Sequence, residues 1–236
     1  MILEIGAGKG DLTRELLQSG AWVVAIERDR KLADELLRAG HGADRLIVYE
    51  GDALKLDWPT LIRHPRFSGL QWKTAGNIPY YITSPLIDKA LAAPLPQRVV
   101  FLVQAEVADR LAAQPGSKQF GALSVGVQAV ATVERLFTVA PGSFRPPPKV
   151  ASALVRLTPL AEPRVSPETV PAFRRFVTAC FTQRRKQLRN SVAHAARVSV
   201  TRAAQGLADL GLDPSQRPEQ LGVGDFVRLL RWTDRL

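Results

Sequence analysis

A glycine-rich turn set between an apolar run and an amphipathic run restricts this chain more than any other stretch of it. Ile2, Leu3, Glu4 and Ile5 read as a short strand that leads directly into Gly6-Ala7-Gly8-Lys9-Gly10. Asp11 follows as the expected N-cap of a helix carrying Leu12, Leu16 and Leu17 on one face, and Gly20 closes that helix. Strand, glycine turn and helix in this order open a doubly wound α/β fold, where glycines let the backbone approach a ligand at a helix N-terminus. The spacing is GxGxG and differs from the GxGxxG of dinucleotide-binding turns.

The next two strands each end on an acid. Residues 22–26 form a second apolar run ending at Glu27, about 20 residues past the glycines, where a carboxylate can accept from both hydroxyls of a ribose. A third run, residues 46–49, leads into Glu50-Gly51-Asp52-Ala53, so that Asp52 stands where it can accept from an adenine amino group. Either acid alone would pass for a solvated loop carboxylate. In series behind the glycine turn they match the layout of an S-adenosylmethionine site: turn for the methionine part, Glu27 for ribose, Asp52 for adenine.

The apolar-leaning run 70–75 ends in Gly76-Asn77-Ile78-Pro79-Tyr80. Such a stretch is ordinarily a proline-stiffened turn. Placed at the end of a fourth strand it also suits a planar exocyclic amine: the Asn77 amide oxygen and the Ile78 carbonyl can accept its two hydrogens while Tyr80 stacks on the base. This chemistry fits adenine N6 or cytosine N4. Ser84 and Pro85 read as N-cap and first residue of the following helix, through Leu86, Ile87 and Leu91. Residues 98–103 are a fifth strand, continuous enough in apolar character to be expected buried on both faces. An amphipathic helix over 106–114 precedes the loop Pro115-Gly116-Ser117-Lys118, and strands are expected around Val130, Thr132 and Glu134 and over 150–157. Between those two strands Phe144-Arg145-Pro146-Pro147-Pro148-Lys149 is a rigid crossover that could offer a second stacking face, Phe144, with Arg145 and Lys149 near phosphate.

Prolines at 159, 163, 167 and 171 mark a linker, after which the pattern is helical. Phe173, Phe176, Val177, Cys180, Phe181, Leu188 and Val192 recur at helical spacing, with the basic run Gln183-Arg184-Arg185-Lys186-Gln187-Leu188-Arg189-Asn190 expected on the same element. Two shorter helices, 201–210 and 225–232, are separated by the turn Asp213-Pro214-Ser215. Two domains are therefore expected, 1–160 and 161–236. The formal charge of +10 is concentrated in the second: from residue 163 onward 13 Lys and Arg face 6 Asp and Glu, which points to a polyanion partner. The single Cys180 excludes an internal disulfide, and His41, His64 and His194 lack metal-ligand spacing. With 46% hydrophobic residues the chain can furnish a core; no run approaches a membrane span, and a cytoplasmic protein is expected.

Taken together, EIGAGKGDLT (4–13), GDAL (51–54), NIPYYITSPL (77–86), EVADRL and PGSKQFGALSV (106–125), FRPPPKVASALVRL (144–157) and FTQRRKQLRNS (181–191) resemble the bacterial small-subunit ribosomal RNA adenine dimethyltransferases. The last three are narrower than the first two, which are general to S-adenosylmethionine enzymes. The resemblance implies a Rossmann-like S-adenosylmethionine-dependent methyltransferase domain of α/β class followed by a small all-helical domain. It implies a monomer that dimethylates N6 of two adjacent adenosines in the 3′-terminal hairpin loop of 16S rRNA, in the immature small subunit. On the cofactor side it places Gly6, Glu27, Asp52 and Asn77, with Glu4, Gly8 and Ala53 from the same motifs; Asn77, Ile78, Pro79, Tyr80 and Phe144 hold the target base. Lys118, Arg145, Lys149, Arg184, Arg185, Lys186 and Arg189 are the expected RNA contacts, and no metal is implied. Family members carry a basic segment and a helix ahead of the first strand that close over the cofactor, and these 236 residues begin inside that strand. The competing expectation is a non-catalytic assembly factor that binds immature small subunits.

Overall fold

The computed structural model describes residues 1–40, 44–183 and 186–235. It contains a seven-stranded sheet, made of β1 (Ile2–Ile5), β2 (Val23–Glu27), β3 (Leu46–Glu50), β4 (Lys73–Asn77), β5 (Val99–Gln104), β6 (Ala131–Val139) and β7 (Ser152–Pro159), in the order β3-β2-β1-β4-β5-β7-β6. The first five strands run parallel, and β7 is antiparallel to β5. Parallel strands are joined by helices: α1 (Asp11–Gln18) follows β1, α2 (Arg30–Ala39) follows β2, the short α3 (Trp58–Ile62) lies between β3 and β4, and α4 (Thr83–Ala90) follows β4. All five residues of β2 are buried. β5 instead alternates buried and half-buried residues: the face carrying Val99, Phe101 and Val103 is buried and the opposite face is half-buried, so the expected burial on both faces is not met.

Local chemistry moved several boundaries. Gly10, in the left-handed region at φ 81°, occupies the N-cap of α1 and puts Asp11 inside the first turn. The inward face of that helix is Thr13, Leu16 and Leu17, while Leu12 is exposed. Gly20 does end it: its amide and that of Ala21 donate to the Leu17 and Leu16 carbonyls, a Schellman closure. Likewise α4 begins before Ser84, since the Thr83 hydroxyl donates back to the Tyr80 carbonyl at 3.2 Å, and Pro85 falls at its third position.

Beyond β5 come α5 (Ala105–Ala112) and α6 (Ala122–Gln128), and the C-terminal part holds α7 (Val170–Thr182), α8 (Leu188–Ala196), α9 (Val200–Asp209) and α10 (Val223–Thr233). The chain divides into two compact units, Met1–Ala108 with Glu134–Pro159, and Asp109–Val133 with Leu160–Leu236. The helical unit therefore takes in Asp109–Val133 in addition to the residues after the expected boundary near 160. Its core is built from Phe173, Phe176, Cys180, Leu188, Val192 and Phe226, and Phe181 bridges Phe120 and Phe226 with ring centroids 6.5 and 5.6 Å away. α7 ends at Thr182 and α8 begins at Leu188, so residues 173–192 fall on two helices where one was expected; Phe181 and Leu188, seven residues apart, keep the apolar spacing in phase between them. Among the described residues no helix is long and apolar enough to cross a membrane.

Candidate active site

Four adjacent parallel strands, β3, β2, β1 and β4, end on the same edge of the sheet. A cleft of about 540 Å³ opens along that edge, lined among others by Gly6, Glu27, Asp52, Ala53, Asn77 and Pro79. These are residues from every one of the four strand ends, and this volume is that of a cofactor pocket.

The glycine turn and the β2 acid are one structure. Gly6, Gly8 and Gly10 adopt φ of 70°, 57° and 81°, values that disfavour any side chain. The turn so formed aims the Gly8 amide at Glu27, donating to Oε2 at 2.8 Å, while the Asp29 amide donates to Oε1 at 2.8 Å. Two fixed donors leave each carboxylate oxygen of Glu27 with acceptor capacity to spare, which suits a pair of ribose hydroxyls. Asp29 in turn caps α2, its Oδ1 accepting from the Lys31 amide at 2.8 Å.

Asp52 sits in a turn closed by its own side chain, Oδ1 accepting from the Leu54 amide at 2.9 Å. The loop behind it is fixed by Lys89 of α4, whose Nζ donates to the Leu54 and Leu56 carbonyls at 2.8 and 2.6 Å and lies 5.4 Å from the centre of the Trp58 ring. Burial holds the Lys89 ammonium below its usual range, with Asp57 and Asp52 opposing that shift. Trp58 in turn donates to the Ala53 carbonyl at 2.9 Å.

Asn77 ends β4 and is exposed at the cleft. Its backbone lies against the turn: a Cβ built on Gly6 would stand 3.8 Å from the Asn77 carbonyl oxygen. Next to it Ile78 is buried, and its amide donates to the Leu102 carbonyl at 3.1 Å. Tyr80 does not line the cleft. Its hydroxyl lies 2.7 Å from Ser152 Oγ, which ties the end of the Asn77 segment to the first residue of β7. Ser152 is in register with Gln104 at the C-terminal end of β5, so the half-buried Phe144 belongs to the loop that enters β7 on the same sheet edge as Asn77.

Two expected cofactor residues stand behind the cleft. Gly8 acts through Glu27, and Glu4 is buried beneath the turn, where its Oε2 accepts from Thr13 Oγ1 at 2.6 Å. Residues the sequence reading passed over also line the cleft, including Arg28, Asp29, Gly51, Tyr81 and Ile82. Tyr81 is 75% exposed, next to the half-buried Tyr80. Asp29 had a legible signal, a capping acid directly ahead of an amphipathic run. Three acids, Glu27, Asp29 and Asp52, face the single cation Arg28 in this lining, which favours a cationic ligand.

The expected RNA contacts fall in both units. Arg145 and Lys149 are exposed in the first, and Lys118, Lys186 and Arg189 are exposed in the second. Arg184 and Arg185 lie outside the described residues.

A family model described as ribosomal RNA adenine dimethylase matches residues 1–234. The chain belongs to the ribosomal RNA adenine dimethylase family. Among similar proteins, the ribosomal RNA small subunit methyltransferase A of Pseudomonas aeruginosa is 45% identical over 230 residues, covering 97% of this chain and 82% of that one. That of Hahella chejuensis is 42% identical over 229 residues, 97% of this chain and 80% of that one. In three dimensions the chain is similar to a dimethyladenosine transferase from Plasmodium falciparum, with a TM-score of 0.78 at 27% identity over 99% of this chain and 90% of that one. The 23S rRNA methyltransferase ErmE gives 0.71 at the same identity, again over 99% and 90%. The dimethylase fold is thus shared by proteins whose names give different RNA targets. The chain is a Rossmann-like, S-adenosylmethionine-dependent rRNA adenine dimethyltransferase, and the non-catalytic alternative is not favoured.

Proposed function

We propose that this chain transfers two methyl groups to N6 of each of two adjacent adenosines in the 3′-terminal hairpin loop of 16S rRNA, acting as a monomer on the immature small subunit in the cytoplasm. The observation that carries this reading is the position of Asn77, exposed at the end of β4 with its backbone against Gly6 and in one cleft with Glu27 and Asp52. The names of the small-subunit relatives support the choice of RNA.

The residues present suit the donor. The cleft has the volume for it, an anionic bias for its sulfonium, and the spare acceptor capacity of Glu27 for its ribose, with Asp52 and Ala53 at the adenine end. When bound, S-adenosylmethionine supplies an already activated methyl group. The protein's task is then position and charge. An exocyclic adenine amine is a poor nucleophile because its lone pair is delocalised into the ring. Asn77 Oδ1 and the Ile78 carbonyl accept its hydrogens and draw the nitrogen toward tetrahedral geometry, and orientation of this kind can lower a barrier by about 7–11 kcal/mol. The buried Ile78 side chain and its amide bond to Leu102 hold that carbonyl still. Pro79, Tyr80 and Phe144 hold the base, which leaves its stack at a cost of a few kcal/mol, roughly, and less from a loop than from a duplex. Once one methyl is on, the amine has one hydrogen left and a single acceptor suffices.

Lys118, Arg145, Lys149, Lys186 and Arg189, all exposed, serve the phosphates, and the basic run extends to Arg184 and Arg185 in sequence. The test is mass spectrometry of N6,N6-dimethyladenosine after incubation with unmethylated small subunits and donor. Wild type forms it, and Asn77→Ala at saturating donor forms at least tenfold less, roughly the cost of one transition-state hydrogen bond. Undiminished dimethylation by the variant would remove Asn77 from the mechanism.

A further inference from the structure

The chemistry above gives Glu4 no task, yet its setting is unusual. It sits on β1, an interior strand between β2 and β4, with 1% of its surface exposed, and its register partners on both neighbouring strands are alanines, Ala25 and Ala75. The bond it does make is with helix α1: Thr13 Oγ1 donates to Oε2 at 2.6 Å. Thr13 is itself buried, in the first turn of a helix whose N-cap, Gly10, supplies no side-chain oxygen. The glycine turn 6–10 is therefore held at one end by Glu4 through Thr13 and in its middle by Glu27 through the Gly8 amide. From β2 the titratable group felt by Glu4 is Glu27; β4 offers only Ala75 in register, and α1 offers Thr13. Burial raises the Glu4 carboxyl to about 7, with the Thr13 bond opposing and the Glu27 charge adding.

We propose that Glu4 is a positioning residue that acts through Thr13 to hold the glycine turn, and that it releases its proton to solvent when a sulfonium enters the cleft beyond that turn. The only bond that breaks is the Glu4 O–H. A cation in the cleft favours the carboxylate, whereas the neutral thioether left after methyl transfer does not. Glu4 thereby separates donor from product by charge, without touching either. This rests on the methyltransferase reading.

Calorimetry in two buffers of different ionisation enthalpy measures the protons released on binding. S-adenosylmethionine and S-adenosylhomocysteine carry the same amino and carboxyl groups, so the difference between them isolates the sulfonium. Wild type at pH 7 is expected to release roughly half a proton more for the donor, because a group titrating near 7 is half protonated there. Donor affinity is expected to rise about tenfold from pH 6 to pH 8, and product affinity to stay level. Glu4→Gln removes both differences. Thr13→Ala, which keeps the carboxyl and loses the bond that opposes its shift, moves proton release to higher pH and serves if the glutamine variant fails to fold. A purely structural Glu4 would leave wild type with no donor-minus-product difference, and that result, or a difference surviving in Glu4→Gln, overturns the inference alone. Failure of the donor to bind wild type overturns the methyltransferase reading and this inference with it.

Discussion

The Gly8 amide lies 2.8 Å from Glu27 Oε2, so the glycine turn after β1 and the acid ending β2 are fixed to each other before any ligand arrives. Glu27→Gln replaces one acceptor oxygen by a donor that must face either the Gly8 or the Asp29 amide. The expected outcome is donor affinity lowered by about tenfold or more, in line with the ~1.5–3 kcal/mol of a hydrogen bond to a charged group. Calorimetric titration of the variant with S-adenosylmethionine, alongside its circular dichroism spectrum, checks this.

Gly76 is required by space. A Cβ there would stand 2.4 Å from the Ile5 carbonyl oxygen, which belongs to the adjacent strand and has no flexible end to move aside. Gly76→Ala is expected to lower stability by about 1–3 kcal/mol, the usual range for overpacking. Gly142→Ala, with nothing within 4 Å of the added carbon, should leave the melting temperature unchanged. Thermal denaturation of the two variants side by side is the measurement.

Tyr80 and Ser152 share one hydrogen bond at 2.7 Å across 72 positions of sequence. Tyr80→Phe keeps the ring and loses the bond, and about 1 kcal/mol of stability should go with it. Ser152→Ala placed in the Tyr80→Phe background should then cost almost nothing further. A double-mutant cycle by urea denaturation measures that coupling, and strictly additive losses would mean the bond contributes nothing.

Stability should also depend on pH through Glu4. An unfolded carboxyl titrating near 4.5 and a native one near 7 mean that the native state binds the proton more tightly. The contribution is complete below about pH 4.5 and is lost as pH rises through 7, a span of about 3 kcal/mol. Glu4→Gln should accordingly match wild type near pH 4.5 and exceed it in melting temperature at pH 8.

Cys180 is fully buried in α7, and burial pushes its thiol up to about 12. Because the thiolate is the reactive form, the native protein should resist a thiol reagent such as dithionitrobenzoate at pH 8 and react fully in denaturant. Prompt modification of the native protein would contradict that burial.

The ligand side of the sheet was legible because β1, β2 and β3 are largely apolar runs that hand over to glycine or acids at their C-terminal ends, as at Gly6, Glu27 and Asp52, whereas β4, Lys-Thr-Ala-Gly-Asn, is marked by the motif that starts at Asn77 and not by apolar character. Contacts among side chains were less so. Nothing in the spacing of Tyr80 and Ser152 announces their bond, and Lys89 reads as an ordinary helix lysine until it is seen on the Leu54 and Leu56 carbonyls. Helix α6 escaped because Gly126 and two polar residues, Ser124 and Gln128, interrupt its short apolar face. The break after Thr182 escaped for the opposite reason, its flanking apolar residues being two full turns apart.

The strand order β3-β2-β1-β4 gives the cleft a property that its chemistry alone does not. Its walls come from segments spread between Ile5 and Ile82, so no single local stretch of chain supplies the cleft. Binding competence thus requires all four strands in register. A bound donor would act in return as a clasp across four strands, and the protein should grow harder to unfold with every increment of free donor concentration.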